Sequence, residues 1–210
     1  RAFEGAEEYG RAAGAWAYAA ELFEEGEAPA RRASALIYRG KLLNRFGEHD
    51  DAATDLITAL EVSREYEDDP YLLIDALHTL AQVRGAQRDA SVYELLDEAE
   101  RRAQAHDADW VVADIADSRA RALAIDERPD EAVATALQAA DLYAEAGDPA
   151  SAGASELFVA RLLADADRLT DAVPVLQSAV EHAADAPALR SAIALDLGNI
   201  LESLGRFSEA

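Results

Sequence analysis

Four histidines, His49, His78, His106 and His182, are scattered along the chain. No two of them stand at the spacing that puts a pair of zinc ligands on one helix face. Each reads as a solvated or packed side chain. Cysteine is absent, which removes thiolate nucleophiles, thiolate metal sites and disulfides. Asp165-x-Asp167-x-x-x-Asp171 resembles a calcium loop in its acids but lacks the glycine and the final glutamate such a loop needs. It reads as a capping and turn segment. Asp50-Asp51 and Asp68-Asp69 fall at expected helix starts, where the helix dipole favours carboxylates. Hydrolysis by paired carboxylates requires two acids facing across a cleft, and the periodicity places most acids outward. Neither a glycine-rich phosphate loop nor a G-x-S-x-G elbow occurs. Trp16 and Trp110 fit helix-packing positions and read as core, as do Leu22-Phe23 and Leu142-Tyr143 near helix ends. These residues point away from an enzyme and imply no cofactor and no metal.

The elements that would position any site are helical. Apolar residues recur with helical periodicity almost throughout, and no stretch alternates as a strand would. Pro29, Pro70, Pro149 and Pro187 suit the first turn of a helix, where a missing N–H costs nothing. Asp69 and Asp148 precede two of them as caps. Gly47, Gly85 and Gly205 read as helix stops. These signals predict helices over 4–25, 29–46, 49–65, 70–84, 89–105, 108–126, 130–146, 149–166, 171–184 and 187–204, with another starting near Ser208.

A repeat underlies the pattern. Small apolar residues stand at Ala12, Ala52, Val92, Ala132 and Ala172, each 40 residues after the last, and again at Ala210. Four and seven residues beyond come Trp16 and Ala19, Leu56 and Ala59, Leu96 and Ala99, Ala136 and Ala139, Leu176 and Ala179. Those offsets share one helix face. A stripe so narrow is hidden from water only by stacking one helix pair on the next.

Composition agrees. The 210 residues are 50% hydrophobic but only 7% aromatic, with Ala the commonest apolar type, which suits close helix packing. The formal net charge of −23 opposes binding to nucleic acid or to an anionic membrane surface. Acidity of this kind keeps an Ala-rich array soluble. Lys41 is the only lysine beside 18 arginines, which reads as the coding bias of a GC-rich or salt-adapted genome. The chain starts at Arg1 and breaks off inside a unit, so it reads as a fragment of a longer, cytoplasmic bacterial protein.

These residues resemble the tetratricopeptide family. Leu197-Gly198-x-x-Leu201-x-x-x-Gly205-Arg206-Phe207-x-Glu209-Ala210 matches its first helix, turn and second-helix start. Gly40-x-x-Leu43-x-x-x-Gly47-x-x-x-x-Ala52-x-x-x-Leu56-x-x-Ala59-Leu60 matches the helix pair, and Val159-Ala160-x-x-Leu163 with Ala172-x-x-x-Leu176-x-x-Ala179 is a third copy. The unit is longer than the family's usual 34 or so residues. It is similar in length to units of bacterial regulators and kinesin-light-chain-like arrays. The resemblance implies an all-α, right-handed superhelix: one array over 1–210, with units 1–28 (partial), 29–68, 69–107, 108–148, 149–186 and 187–210 (partial). The unit at 108–146 lacks the turn glycine, and its Ala120 and Ala136 are small, so a local change of curvature is expected there.

In this family the first helix of each unit lines a concave groove, and the residue after its small packing residue faces that groove. Carried over, the series is Lys41, Thr79, Arg121, Arg161 and Asn199, with Asn44 and Arg45 one turn beyond Lys41. Two readings stand. The residues form a donor-lined groove that captures an extended or helical acidic peptide. Or they pair with Asp75, Asp114, Asp117 and other acids on adjacent first helices. The implied function is a protein–protein interaction scaffold taking a peptide or helix in the groove. The alternative is a ligand- or peptide-sensing regulatory array within a larger bacterial transcription regulator or signalling protein. The expected partner is a protein or peptide, with no nucleic acid and no membrane, and self-association through exposed repeat ends is a further expectation.

Overall fold

The structure is a computed structural model of the chain. It describes residues 2–65, 69–106 and 108–205, apart from the side chains of 2–7 and 109. The described residues form helices and turns, with no strand. In chain order the helices are α1 (Ala2–Glu25), α2 (Pro29–Arg45), α3 (His49–Glu65), α4 (Pro70–Ala86), α5 (Ser91–Ala105), α6 (Asp109–Ile125), α7 (Pro129–Glu145), α8 (Pro149–Asp165), α9 (Leu169–His182) and α10 (Pro187–Ser203). None is long and apolar enough to cross a membrane. The expected boundaries hold to within two residues. The expected helix near Ser208, the anchor Ala210 and Asp68 lie outside the described residues.

The chain divides into two compact units, Arg1–Asp107 and Ala108–Ala210. In each, a helix packs on the next in sequence, and alternate helices also touch: α2 with α4, and α8 with α10. This is the architecture of an α-solenoid. The stripe residues account for it. Ala52, Leu56 and Ala59 of α3, Leu96 and Ala99 of α5, Ala132, Ala136 and Ala139 of α7, and Ala172, Leu176 and Ala179 of α9 are all 0% exposed. Ala at most of these positions removes side-chain bulk, so neighbouring helices approach closely and their larger residues interlock. Gly40 of α2 is the extreme case, seating its backbone directly against the Leu56 side chain.

One turn geometry recurs between helices. At the end of α2, the Gly47 N–H donates to the Asn44 carbonyl at 3.1 Å and the Glu48 N–H to the Leu43 carbonyl at 3.0 Å. That pair of bonds is a Schellman motif, with the residue after the cap left-handed. The motif recurs with Glu27, Arg88, Glu127, Gly147 and Asp167 in the left-handed position. Gly85 is a correction to the sequence reading. It lies inside α4, buried, and Arg88 at φ 56° makes the turn instead. The unit without a turn glycine uses Glu127 at φ 60°. Pro begins α2, α4, α7, α8 and α10, as expected for four of the five.

The tryptophans also correct the reading. Trp110 is 60% exposed and Trp16 37%. Trp16 stands on the stripe position of α1, whose packing neighbour among the described helices is α2. Its ring therefore lies at the helix edge, stacked on Tyr38 with centroids 4.9 Å apart. Leu22 is likewise exposed, whereas Tyr143 is half-buried and engaged with Asp114.

Candidate functional site

The predicted groove residues lie on first helices, and their neighbours decide what each can do. In the first unit, Lys41 of α2 places its Nζ 2.7 Å from an Asp75 carboxylate oxygen on α4. The same ammonium stands 5.7 Å from the centre of the Tyr38 ring. Thr79 is 1% exposed, and its hydroxyl donates to Asp75 Oδ1 at 3.3 Å. It therefore braces the acid that holds Lys41 and does not face a groove. Thr lies there because a helix interior next to a neighbouring helix favours a compact side chain. Asn44 Oδ1 lies 2.9 Å from His49 Nδ1 across the α2–α3 turn, so Asn44 serves the turn. Arg45, in the last turn of α2, is exposed and has no partner among the described residues.

In the second unit, Arg121 of α6 grips Asp117 one turn back, with Nε 2.6 Å from Oδ2 and Nη2 3.3 Å from Oδ1. Its guanidinium lies over the Phe158 ring of α8, 4.8 Å from the centroid. Asp117 also accepts the Ser155 hydroxyl of α8 at 3.2 Å. Asp114, named as an acid for the cation series, is taken instead by Tyr143 of α7 at 2.5 Å. Burial, together with that hydrogen bond to a carboxylate, drives the Tyr143 hydroxyl far above its ordinary pKa. Arg161 of α8 donates from Nε to Asp196 Oδ2 of α10 at 2.8 Å.

Two other acids are buried, and each links the helices of one pair. Asp55 of α3 receives Arg39 of α2 through both oxygens, at 2.9 and 3.0 Å. Burial pushes its carboxyl above the usual range, against the pull of Arg39. Glu156 of α8 accepts Ser178 at 2.6 Å and lies 2.8 Å from His182 Nδ1, both on α9. These residues fasten helix pairs internally and offer nothing to a ligand.

Arg161 and Asn199 are the members of the series that line a common space. Between α8 and α10 opens a concavity of about 250 Å³, lined by Ala160, Ala164, Leu176 and Ile200, with Arg161, Asp165, Asp196 and Asn199 around it. Leu176 of α9 and Ala160 lie fully covered beneath it, so Ala164 and Ile200 supply most of the apolar surface it presents. Asp165 and Ala164 were not in the predicted series. The signal was there: they stand one turn beyond Arg161, as Asn44 and Arg45 stand one turn beyond Lys41. A second hollow of about 300 Å³ in the first unit is lined by Ser63, Arg64, Asp69, Pro70, Leu73, Arg102 and His106. There Glu98 holds both arginines, with 3.1 Å to Arg64 and 3.2 Å to Arg102.

No protein-family model matches the chain, and neither does any curated protein. Solved structures do match. BtubC (BKLC) from P. vanneervenii superposes with a TM-score of 0.78 at 15% sequence identity, over 96% of this chain and 86% of that one. At that identity the likeness shows the fold alone, a helical-repeat solenoid. It leaves the groove to be argued from the residues of this chain.

Proposed function

We propose that this chain is a tetratricopeptide-type array that holds a peptide segment against its first helices and carries out no reaction of its own. The observation that supports it is the concavity between α8 and α10. Apolar surface from Ala164 and Ile200, backed by the buried Ala160 and Leu176, lies beside two side chains able to donate, Arg161 and Asn199. That is the makeup of a small recognition pocket: apolar area for affinity and a few placed polar groups for register. An extended backbone laid across α8 and α10 would put one side chain into the crevice and its amide beside Asn199.

The test is capture of partners from a lysate on the immobilised chain, repeated with Asp165→Arg and with Asn199→Arg. Both positions are exposed, so both variants keep the fold. Loss of the captured species is the expected result. Recovery unaffected by either change removes the α8–α10 crevice as the binding surface.

A further inference from the structure

The charges around the α8–α10 crevice do not match the acidic ligand that a series of cations implies. The cation at its mouth is already neutralised, since Arg161 donates to Asp196 at 2.8 Å. The acid one turn further along α8 is not. Asp165 is exposed and has neither an ion pair nor a hydrogen bond from its side chain among the described residues. It is also the last residue of α8, whose final turn carries no basic side chain. The C-terminal end of a helix bears partial negative charge, so a carboxylate there is in its least favourable helical position unless a cation joins it. Arg168, just beyond, is committed elsewhere, at 2.9 Å to Asp171 and 3.1 Å to Asp130. The Asn199 carboxamide, on the other wall, also lacks a side-chain partner among the described residues.

We infer that the crevice takes a basic peptide segment: an aliphatic side chain against Ala164 and Ile200, with a neighbouring Lys or Arg reaching Asp165 and a backbone amide meeting Asn199. The inference rests on the peptide-holding reading above and adds the chemistry of the partner. Charge complementarity argues for it at two ranges. Locally, Asp165 and Asp196 against Arg161 leave the rim one charge negative. At long range the chain's net charge of −23 draws cationic segments in and repels acidic ones.

The experiment is selection of a random dodecapeptide library on the immobilised chain, then affinity measurement of the enriched peptides by fluorescence anisotropy. Two variants run beside the native chain. Asp165→Asn removes the charge at the crevice, and Glu131→Gln removes one from α7, which does not line it. The expected outcome is enrichment of an aliphatic residue flanked by Lys or Arg. Affinity then falls about fivefold in Asp165→Asn, as for one exposed charge pair, and is unchanged in Glu131→Gln. Basic peptides equally affected by both variants, or by neither, would mean attraction to bulk charge and overturn the site. Enrichment of acidic or uncharged peptides overturns the basic partner while leaving peptide holding intact. A library from which nothing is enriched sinks both.

Discussion

A Cβ placed on Gly40 of α2 would lie 2.7 Å from Leu56 Cγ of α3, closer than any real packing contact. The absence of a side chain at Gly40 thus fixes how near these two helices run, and Leu56 is 0% exposed as a result. Gly40→Ala forces the fully buried Leu56 to move. The expected loss is about 1–3 kcal/mol from overpacking, only partly offset by the better helix propensity of Ala. Gly14 of α1 meets nothing within 4 Å. Gly14→Ala is therefore expected to stabilise by about 1 kcal/mol. Urea denaturation of the two variants checks this, and shifts of the same sign would contradict the packing argument.

The shared turn gives a second pair of opposite effects. Glu127 sits at φ 60° and Gly147 at φ 79°, in equivalent left-handed positions. Left-handed backbone strains a residue with a Cβ by about 1 kcal/mol. Glu127→Gly should stabilise by roughly that amount and Gly147→Ala should destabilise by a similar amount. Nothing lies within 4 Å of a Cβ at Gly147, so the second loss would be conformational alone. Thermal melts of both variants read it out.

Two carboxylates make pH contributions of opposite sense. Asp148 caps α8, its carboxylate accepting the Ser151 hydroxyl at 2.7 Å and the Ser151 N–H at 3.1 Å. Those bonds lower its pKa below the usual value. Its stabilisation is complete above the unfolded value and is lost as pH falls through the lowered folded one. Asp148→Ala should cost about 1 kcal/mol at neutral pH and less on acidification. Asp55 is the reverse. Burial raises its pKa, so its contribution is complete below the ordinary carboxylate value and is lost as pH rises through the raised one. The difference between the native chain and Asp55→Asn should therefore move in favour of the native chain as pH falls. Denaturation midpoints from pH 7 down to about pH 2.5 would show the two differences changing in opposite directions, the Asp55 difference above the ordinary carboxylate value and the Asp148 difference below it.

Much of the fold was legible because helix pairs write their packing into the chain. Ala52, Leu56 and Ala59 share a face by spacing alone, and the same offsets recur until Ala179. Proline at first turns and acids at caps fixed the boundaries. What escaped was set by neighbours. Trp110 occupies a packing position by period and yet is exposed. The turn residues Glu27, Arg88, Glu127 and Asp167 carry no sign in their own chemistry, because the Schellman bonds, and not residue preference, hold them left-handed. Gly85 misled for the same reason. At the candidate site, position along the first helices was readable, but pairing was not. That Lys41 meets Asp75, and Arg161 meets Asp196, depends on contacts between helices more than thirty residues apart. Asp165, read from spacing as a turn acid, gained interest only once its helix end and the crevice were seen together.

Each buried stripe leans mainly on the helices beside it in sequence. Heat or denaturant therefore meets a core strung along successive helices, as from Ala120 of α6 to Leu201 of α10, with no central hub. Loosening one helix pair removes support from its immediate neighbours and leaves distant ones intact, so unfolding proceeds as partly independent steps along the chain. One melting temperature for this protein is then an average over pairs of unequal strength, and amide exchange measured residue by residue would resolve it into a graded profile.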